Sequence, residues 1–148
     1  MEDVRTNRTK SLRESKDPHW LSHRPLSLLA LLLKDTLEDI IHYCAGFHIY
    51  EAGIEGPVVF CLHGGGYSGL SFALSASKIK ENARVVAMDL RGHGKSFTNN
   101  DLDLSIETLC DDVVAVLKAL YGDSPPAIII VGHSMGGSVA VHVVWQGS

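Results

Sequence analysis

Two short stretches of this chain carry residue types at spacings that can do chemistry. Gly132-His133-Ser134-Met135-Gly136 follows the apolar run Ala127-Ile128-Ile129-Ile130-Val131 and leads into a helix-like stretch. Strand, sharp turn and helix are the setting in which Gly-x-Ser-x-Gly forms a nucleophile elbow. The turn is too tight for side chains at its flanks, so glycines occupy both, and the serine is forced outward at the C-terminal end of the strand. Ser134 is therefore the candidate nucleophile. The bland alternative is a serine in an ordinary glycine-rich turn. A phosphate-binding loop fails on residue type: Gly132 and Gly137 have the spacing, but Ser138 stands where a lysine is required. Gly94-Lys95-Ser96 fails as well, because Asp89 occupies the position of the first glycine.

The second stretch is His63-Gly64-Gly65-Gly66, which directly follows the apolar run Val58-Val59-Phe60-Cys61-Leu62. Acyl transfer passes through a tetrahedral oxyanion, which backbone N–H groups stabilise from about 3 Å. Glycines let the chain approach that closely and adopt positive φ. Gly65 and Gly66 are the candidate donors here, and the Met135 N–H at the start of the elbow helix is the partner donor, where the helix dipole also favours negative charge. His63, Gly64, Gly132, His133 and Gly136 complete the two motifs around the expected pocket.

A serine hydroxyl also needs a base. In the elbow arrangement the acid and the histidine follow the serine in chain order. No Asp or Glu follows Ser134, and His142 lies in the elbow's own helix, more than two turns on. His133 is pointed away by the elbow and reads as a packing residue. His93 falls in a polar loop and reads as solvated. Asp111 and Asp112 read as the wet side of a helix, and Asp89 with Arg91 as braces of the loop between 89 and 100.

Both motifs need a sheet to hold them. Phe47–Glu51, Val58–Leu62, Arg84–Met88 and the run before the elbow are the candidate strands, separated by helical spacing over about 69–81 and from Ile106 to Leu120, with Ser105 as N-cap. Apolar strands separated by helices imply an α/β architecture with a mostly parallel sheet covered on both faces, and ligands at the C-terminal ends of its strands. Both glycine motifs fall at that end. Upstream, residues 1–24 are polar and read as a disordered tail. Residues 25–46 read as an amphipathic helix, with apolar positions at 26, 29, 30, 33, 37, 40 and 41, Pro25 in the first turn and Gly46 as the stop. Its eight-residue apolar stretch, Leu26–Leu33, is far short of the roughly 20 residues of a membrane span.

The bulk numbers agree. The chain's 148 residues suffice for one domain, 45% hydrophobic and 20% charged content suits a soluble protein, and a net charge of -4 gives no reason to expect nucleic acid. The three cysteines form no Cys-x-x-Cys pair, which argues against a zinc site or disulfide framework and for a reducing compartment, cytoplasmic or also nuclear.

Taken in order, Glu55-Gly56-Pro57-Val58, Leu62-His63-Gly64-Gly65-Gly66, Met88-Asp89-Leu90-Arg91-Gly92-His93-Gly94, Tyr121-Gly122-Asp123 and Gly132 to His142 resemble the protein phosphatase methylesterase family of the α/β-hydrolases. The resemblance covers about residues 47–144. It implies the α/β-hydrolase fold, Ser134 as nucleophile, no metal or organic cofactor, and the protein phosphatase 2A catalytic subunit as partner. The implied reaction is hydrolysis of the methyl ester on that subunit's C-terminal leucine. The acid and base that the resemblance implies have no counterpart here, so the expectation for residues 47–148 is a truncated hydrolase domain with little or no turnover. The elbow strand is expected to leave an exposed apolar edge. Two other readings stand beside it: a non-catalytic phosphatase-binding fragment, and a different serine esterase or lipase acting on small molecules.

Overall fold

The structure is a computed structural model that describes residues 40–146. The expected tail and most of the expected 25–46 helix lie outside the described residues. Among the described residues five strands form one sheet: β1 (Ile40–Cys44), β2 (Phe47–Ala52), β3 (Val58–Leu62), β4 (Arg84–Met88) and β5 (Ile128–Gly132), in the spatial order β1-β2-β4-β3-β5. β3 pairs in parallel with β4 on one side and β5 on the other, as expected of apolar strands joined by helical crossovers. β1 and β2 differ. They run as an antiparallel hairpin, and β2 is antiparallel to β4.

That hairpin corrects the helix expectation where the two overlap. Residues 40–44 are a strand, and Gly46 does not stop a helix. Ala45 and Gly46 have φ of 53° and 88°, the two positive values that a type I′ hairpin turn requires. Helical spacing at 40 and 41 was satisfied equally well by β-branched residues in a strand.

The two faces of the sheet are covered by different helices. On one face Val58, Phe60, Leu62, Val86 and Met88 pack with Leu109, Cys110, Val113 and Val116 of α2 (Ile106–Tyr121) and Val139 of α3 (Met135–Gln146). On the other, Val59, Cys61, Val85 and Ala87 pack with Ala73 and Ala76 of α1 (Ala73–Ile79), which continues a 3₁₀ turn at Gly69–Phe72. The alternation along β3 and β4 is the two-residue period of a strand read out on both sides. Here α1 is defined by its small alanines, which let it approach the sheet closely. Ser105 occupies the N-cap position of α2 as expected, yet its hydroxyl donates to Thr108 Oγ1 at 2.8 Å instead of capping the backbone.

Coverage is incomplete at β5. Ile128 and Ile130 pack partly against the α2–α3 face, whereas Ile129 and Val131, on the opposite face, are 53% and 39% exposed. Among the described residues no helix is long and apolar enough to cross a membrane.

Candidate active site

The three parallel strands end in one row. Leu62 pairs with Met88 on one side and Gly132 on the other, so the segments beginning at His63, Asp89 and His133 leave the sheet side by side. This is the end of an α/β sheet where ligands gather.

The elbow has the backbone its sequence predicts. Ser134 has φ of 51°, one of two positive values among the described non-glycine residues, a conformation that costs energy for a side-chain-bearing residue and clusters at functional sites. Its side chain is exposed. The turn is closed by His133 N–H donating to Leu62 O (3.0 Å), Gly136 N–H to His133 O (3.0 Å) and Gly137 N–H to Ser134 O (2.8 Å). Both flanking glycines are sterically required: a Cβ on Gly132 would strike the Gly136 carbonyl, and one on Gly136 the Leu62 carbonyl. The helix can start this close to β3 only because neither residue has a side chain.

The glycine loop lies against that elbow. A Cβ on Gly64 would come within 3.3 Å of Ser134 Cβ and 2.8 Å of His133 Nδ1, and one on Gly65 within 3.8 Å of Met135 Sδ. Gly66 has φ of 78°. Among the described residues the N–H groups of Gly65, Gly66 and Met135 donate to no backbone carbonyl. The sequence-predicted oxyanion donors thus remain available beside the serine.

His63 belongs to the motif but does not line the pocket. It is fully buried: Leu90 N–H donates to its Nε2 (2.9 Å), and its Nδ1 lies 2.8 Å from Gly64 O. An Nε2 that accepts leaves Nδ1–H to donate, so the ring is a neutral strut joining the ends of β3 and β4. Burial is the largest influence on it and pushes its pKa below the ordinary 6.5, with Gly64 opposing. His93, half-buried, stacks edge-on against it with centroids 5.2 Å apart and meets Arg91 O at 2.7 Å. Exposed His133 meets Tyr67 edge-on at 6.1 Å, which places an aromatic wall next to Ser134 that the sequence reading had missed.

The loop after β4 is braced as expected of Asp89 and Arg91, but by separate partners. Asp89 is fully buried and accepts Gly69 N–H (2.7 Å), Lys95 N–H (2.7 Å) and the Tyr50 hydroxyl (3.2 Å). Ser96 Oγ accepts His48 N–H at 2.9 Å and donates to the Asp89 carbonyl. Arg91 donates to Thr98 Oγ1 and the Asn100 carbonyl, and forms a two-pronged ion pair with Asp112 (Nε–Oδ2 2.7 Å, Nη2–Oδ1 2.6 Å). Asp112 is therefore not on the wet side of α2. It is 7% exposed, and its position three residues after buried Leu109 and four before buried Val116 places it on the apolar stripe. Helical periodicity held that signal, although adjacency to Asp111 suggested a solvated pair.

Among the described residues no base reaches the serine. His142 Nδ1 bonds Ser138 O on its own helix at 2.8 Å, and among the described residues no side chain is hydrogen-bonded to Ser134 Oγ. Nor, among the described residues, do three or more His, Cys, Asp or Glu side chains form a group that could hold a metal ion.

Residues 58–146 match the Alpha/beta hydrolase family. Protein phosphatase methylesterase 1 of Bos taurus is 52% identical over 98 residues, covering 65% of this chain and 26% of that protein. The Homo sapiens protein of the same name is 51% identical over 98 residues, covering 65% and 25%, and the probable protein phosphatase methylesterase 1 of Caenorhabditis elegans is 46% identical over 100 residues, covering 66% and 28%. The chain thus spans about a quarter of the length of the curated relatives it matches. Among solved structures, a laboratory-evolved variant of potato epoxide hydrolase superposes with a TM-score of 0.62 at 30% identity, covering 72% of this chain and 35% of that one. A putative lipase from Acinetobacter baumannii shares the fold with a TM-score of 0.71 at 23% identity, covering 84% and 42%.

Proposed function

Because this chain belongs to the α/β-hydrolase family, we propose that Ser134 is the nucleophile of a carboxylic-ester hydrolase of the protein methylesterase type. The observation that carries the reading is the strained, exposed Ser134 held within van der Waals reach of a glycine loop whose N–H groups are unused. In this mechanism Ser134 Oγ attacks the ester carbonyl carbon, and the oxygen of that carbonyl becomes the oxyanion. Met135 N–H and the Gly65 or Gly66 N–H stabilise it. Collapse breaks the bond to the methoxy oxygen, methanol leaves with the serine's proton, and water then hydrolyses the acyl-serine.

The substrate is a methyl ester on a protein phosphatase. Sequence similarity to the bovine and human methylesterases supports this, and the family resemblance narrows it to the C-terminal leucine of the protein phosphatase 2A catalytic subunit. The proton step limits the rate. Among the described residues no base is bonded to Ser134, and a serine without its triad partners turns over on the order of 10⁶-fold more slowly than a complete triad.

Labelling with a fluorophosphonate probe tests the assignment, with Ser134→Ala as control. Labelling of the parent that is lost in the control supports Ser134 as nucleophile; labelling that persists in the control assigns the chemistry elsewhere and refutes it. A folded chain that takes no label favours the phosphatase-binding reading, for which the unpaired serine is the supporting observation. Cleavage of a leucine methyl-ester peptide in preference to simple esters separates the methylesterase from a small-molecule esterase.

A further inference from the structure

We propose that Asp89 is the positioning residue of the oxyanion loop, an inference that rests on Ser134 as nucleophile. With the adjacent Leu90 N–H, it clamps both ends of the segment that carries the Gly65 and Gly66 donors.

Those donors lie in the middle of a turn. Tyr67 N–H donates to Gly64 O (3.2 Å), an i→i+3 bond that encloses Gly65 and Gly66. The φ of Gly66, 78°, suits the third position of a type II turn. Such a turn fixes its own shape but not where it sits. Entry and exit are both tied to the segment that follows β4. At the entry, Leu90 N–H donates to His63 Nε2 (2.9 Å), and His63 Nδ1 in turn holds Gly64 O (2.8 Å). At the exit, Gly69 N–H donates to Asp89 Oδ1 (2.7 Å). One dipeptide, Asp89-Leu90, therefore brackets the whole loop from His63 to Gly69.

Asp89 is itself held. Its other oxygen, Oδ2, accepts Lys95 N–H (2.7 Å) and the Tyr50 hydroxyl (3.2 Å), and the residue is fully buried. Two glycines are shaped around it. A Cβ on Gly94 would strike the carboxylate, and one on Gly69 would come within 2.7 Å of the Tyr50 ring. The run from Met88 to Gly94 thereby acquires a purpose, because Gly94 lets the chain curl until Lys95 N–H reaches Oδ2. A buried carboxylate demands donors on both oxygens. Here they come from β2, from the glycine loop and from the loop after β4, so satisfying one charge aligns three segments. The elbow is set separately, by His133 N–H on Leu62 O and by Gly136 against the Leu62 carbonyl. Loss of the clamp should therefore move the donors and leave the nucleophile in place.

Amide NMR on the isotope-labelled chain and its Asp89→Asn variant tests this. Asparagine keeps the volume and an acceptor for Gly69, but turns a donor toward Lys95 N–H. The Gly65 and Gly66 resonances should shift while those of Gly132 and Gly136 stay, and fluorophosphonate labelling of Ser134 should slow about 100-fold, as for a misplaced oxyanion donor. Val116→Ala, a core truncation on α2, should lower stability yet leave both readouts unchanged. Equal shifts in the two variants would reduce Asp89 to a general stabiliser and overturn the proposal, as would Asp89→Asn resonances that match the parent. Should Asp89→Asn not fold, the parent alone decides. Order parameters of Gly65 and Gly66 near the roughly 0.85 of rigid backbone are expected, and values below about 0.6 would show an unclamped loop. The amides report without a reactive serine. A parent that takes no label while the Asp89→Asn amides shift refutes the nucleophile reading and upholds the clamp; label with unmoved amides overturns the clamp alone.

Discussion

On one side of Ser134 the loop after β4 buries polar groups and ties them. Asp89 takes two backbone donors and a tyrosine hydroxyl, His63 bridges two strand ends, and Arg91 grips Asp112 from loop to helix. On the other side, β5 and α3 put valines, one isoleucine and a tryptophan into solvent. The first region sets the position of the glycine loop with its Gly65 and Gly66 donors; the second carries Ser134 in the turn between its strand and helix and the Met135 N–H at the start of that helix. A buried polar network holds a shape only when its groups are satisfied, because an orphaned group there costs the full desolvation penalty. Exposed apolar surface carries no such geometric demand, only a tendency to be covered. The buried network therefore fixes the glycine loop, whereas the exposed apolar face of β5 and α3 fixes no geometry of its own.

Substitutions should separate the two. The largest effect is expected from Asp112→Ala, which strands the Arg91 guanidinium against α2 without its carboxylate. Breaking a largely buried pair on one side costs about 3–5 kcal/mol, read as a drop in urea-unfolding free energy at pH 7. A loss below about 1 kcal/mol would mean that the pair behaves as a surface ion pair and would remove the contrast.

His63 gives a smaller effect with a distinct signature. Burial lowers its pKa in the folded chain below the ordinary 6.5, so the unfolded chain binds the extra proton first. Its contribution is fully present above pH 6.5 and is lost as the pH falls from there through the folded value. The slope approaches about 1.4 kcal/mol per pH unit for a single group. Thermal melts between pH 7.5 and 5.5 should show that fall, and His63→Asn, which cannot titrate, should flatten it. A parent curve with no slope in that window would deny His63 its neutral strut role.

The smallest effect is expected where the surface is already bare. Ile129→Lys should change unfolding free energy by no more than about 0.5 kcal/mol, as for other exposed positions. A large loss would mean that β5 is held by more than its pairing with β3.

Much of this was legible one residue at a time. Val58–Leu62 and Arg84–Met88 were marked by continuous apolar runs, α2 by its 3.6-residue period, and the two motifs by glycines whose absent side chains the structure shows to be necessary at 132 and 136. Other features were not. The strand at 40–44 depended on a turn with two positive φ values, which Ala45-Gly46 advertises only weakly. The partners of Asp89, Arg91 and Asp112 come from segments 20 or more residues away in several of these bonds, beyond any local pattern. Tyr67 beside His133 likewise needed the loop and the elbow to be brought together.

The sequence by itself determined where the nucleophile and oxyanion donors sit along the chain, because the tight turn and the close backbone approach are local demands that only glycine meets. Only the tertiary structure decided which polar groups support them. Burial and pairing depend on which strand ends lie side by side, and that row of Gly132, Leu62 and Met88 exists only after the sheet has formed.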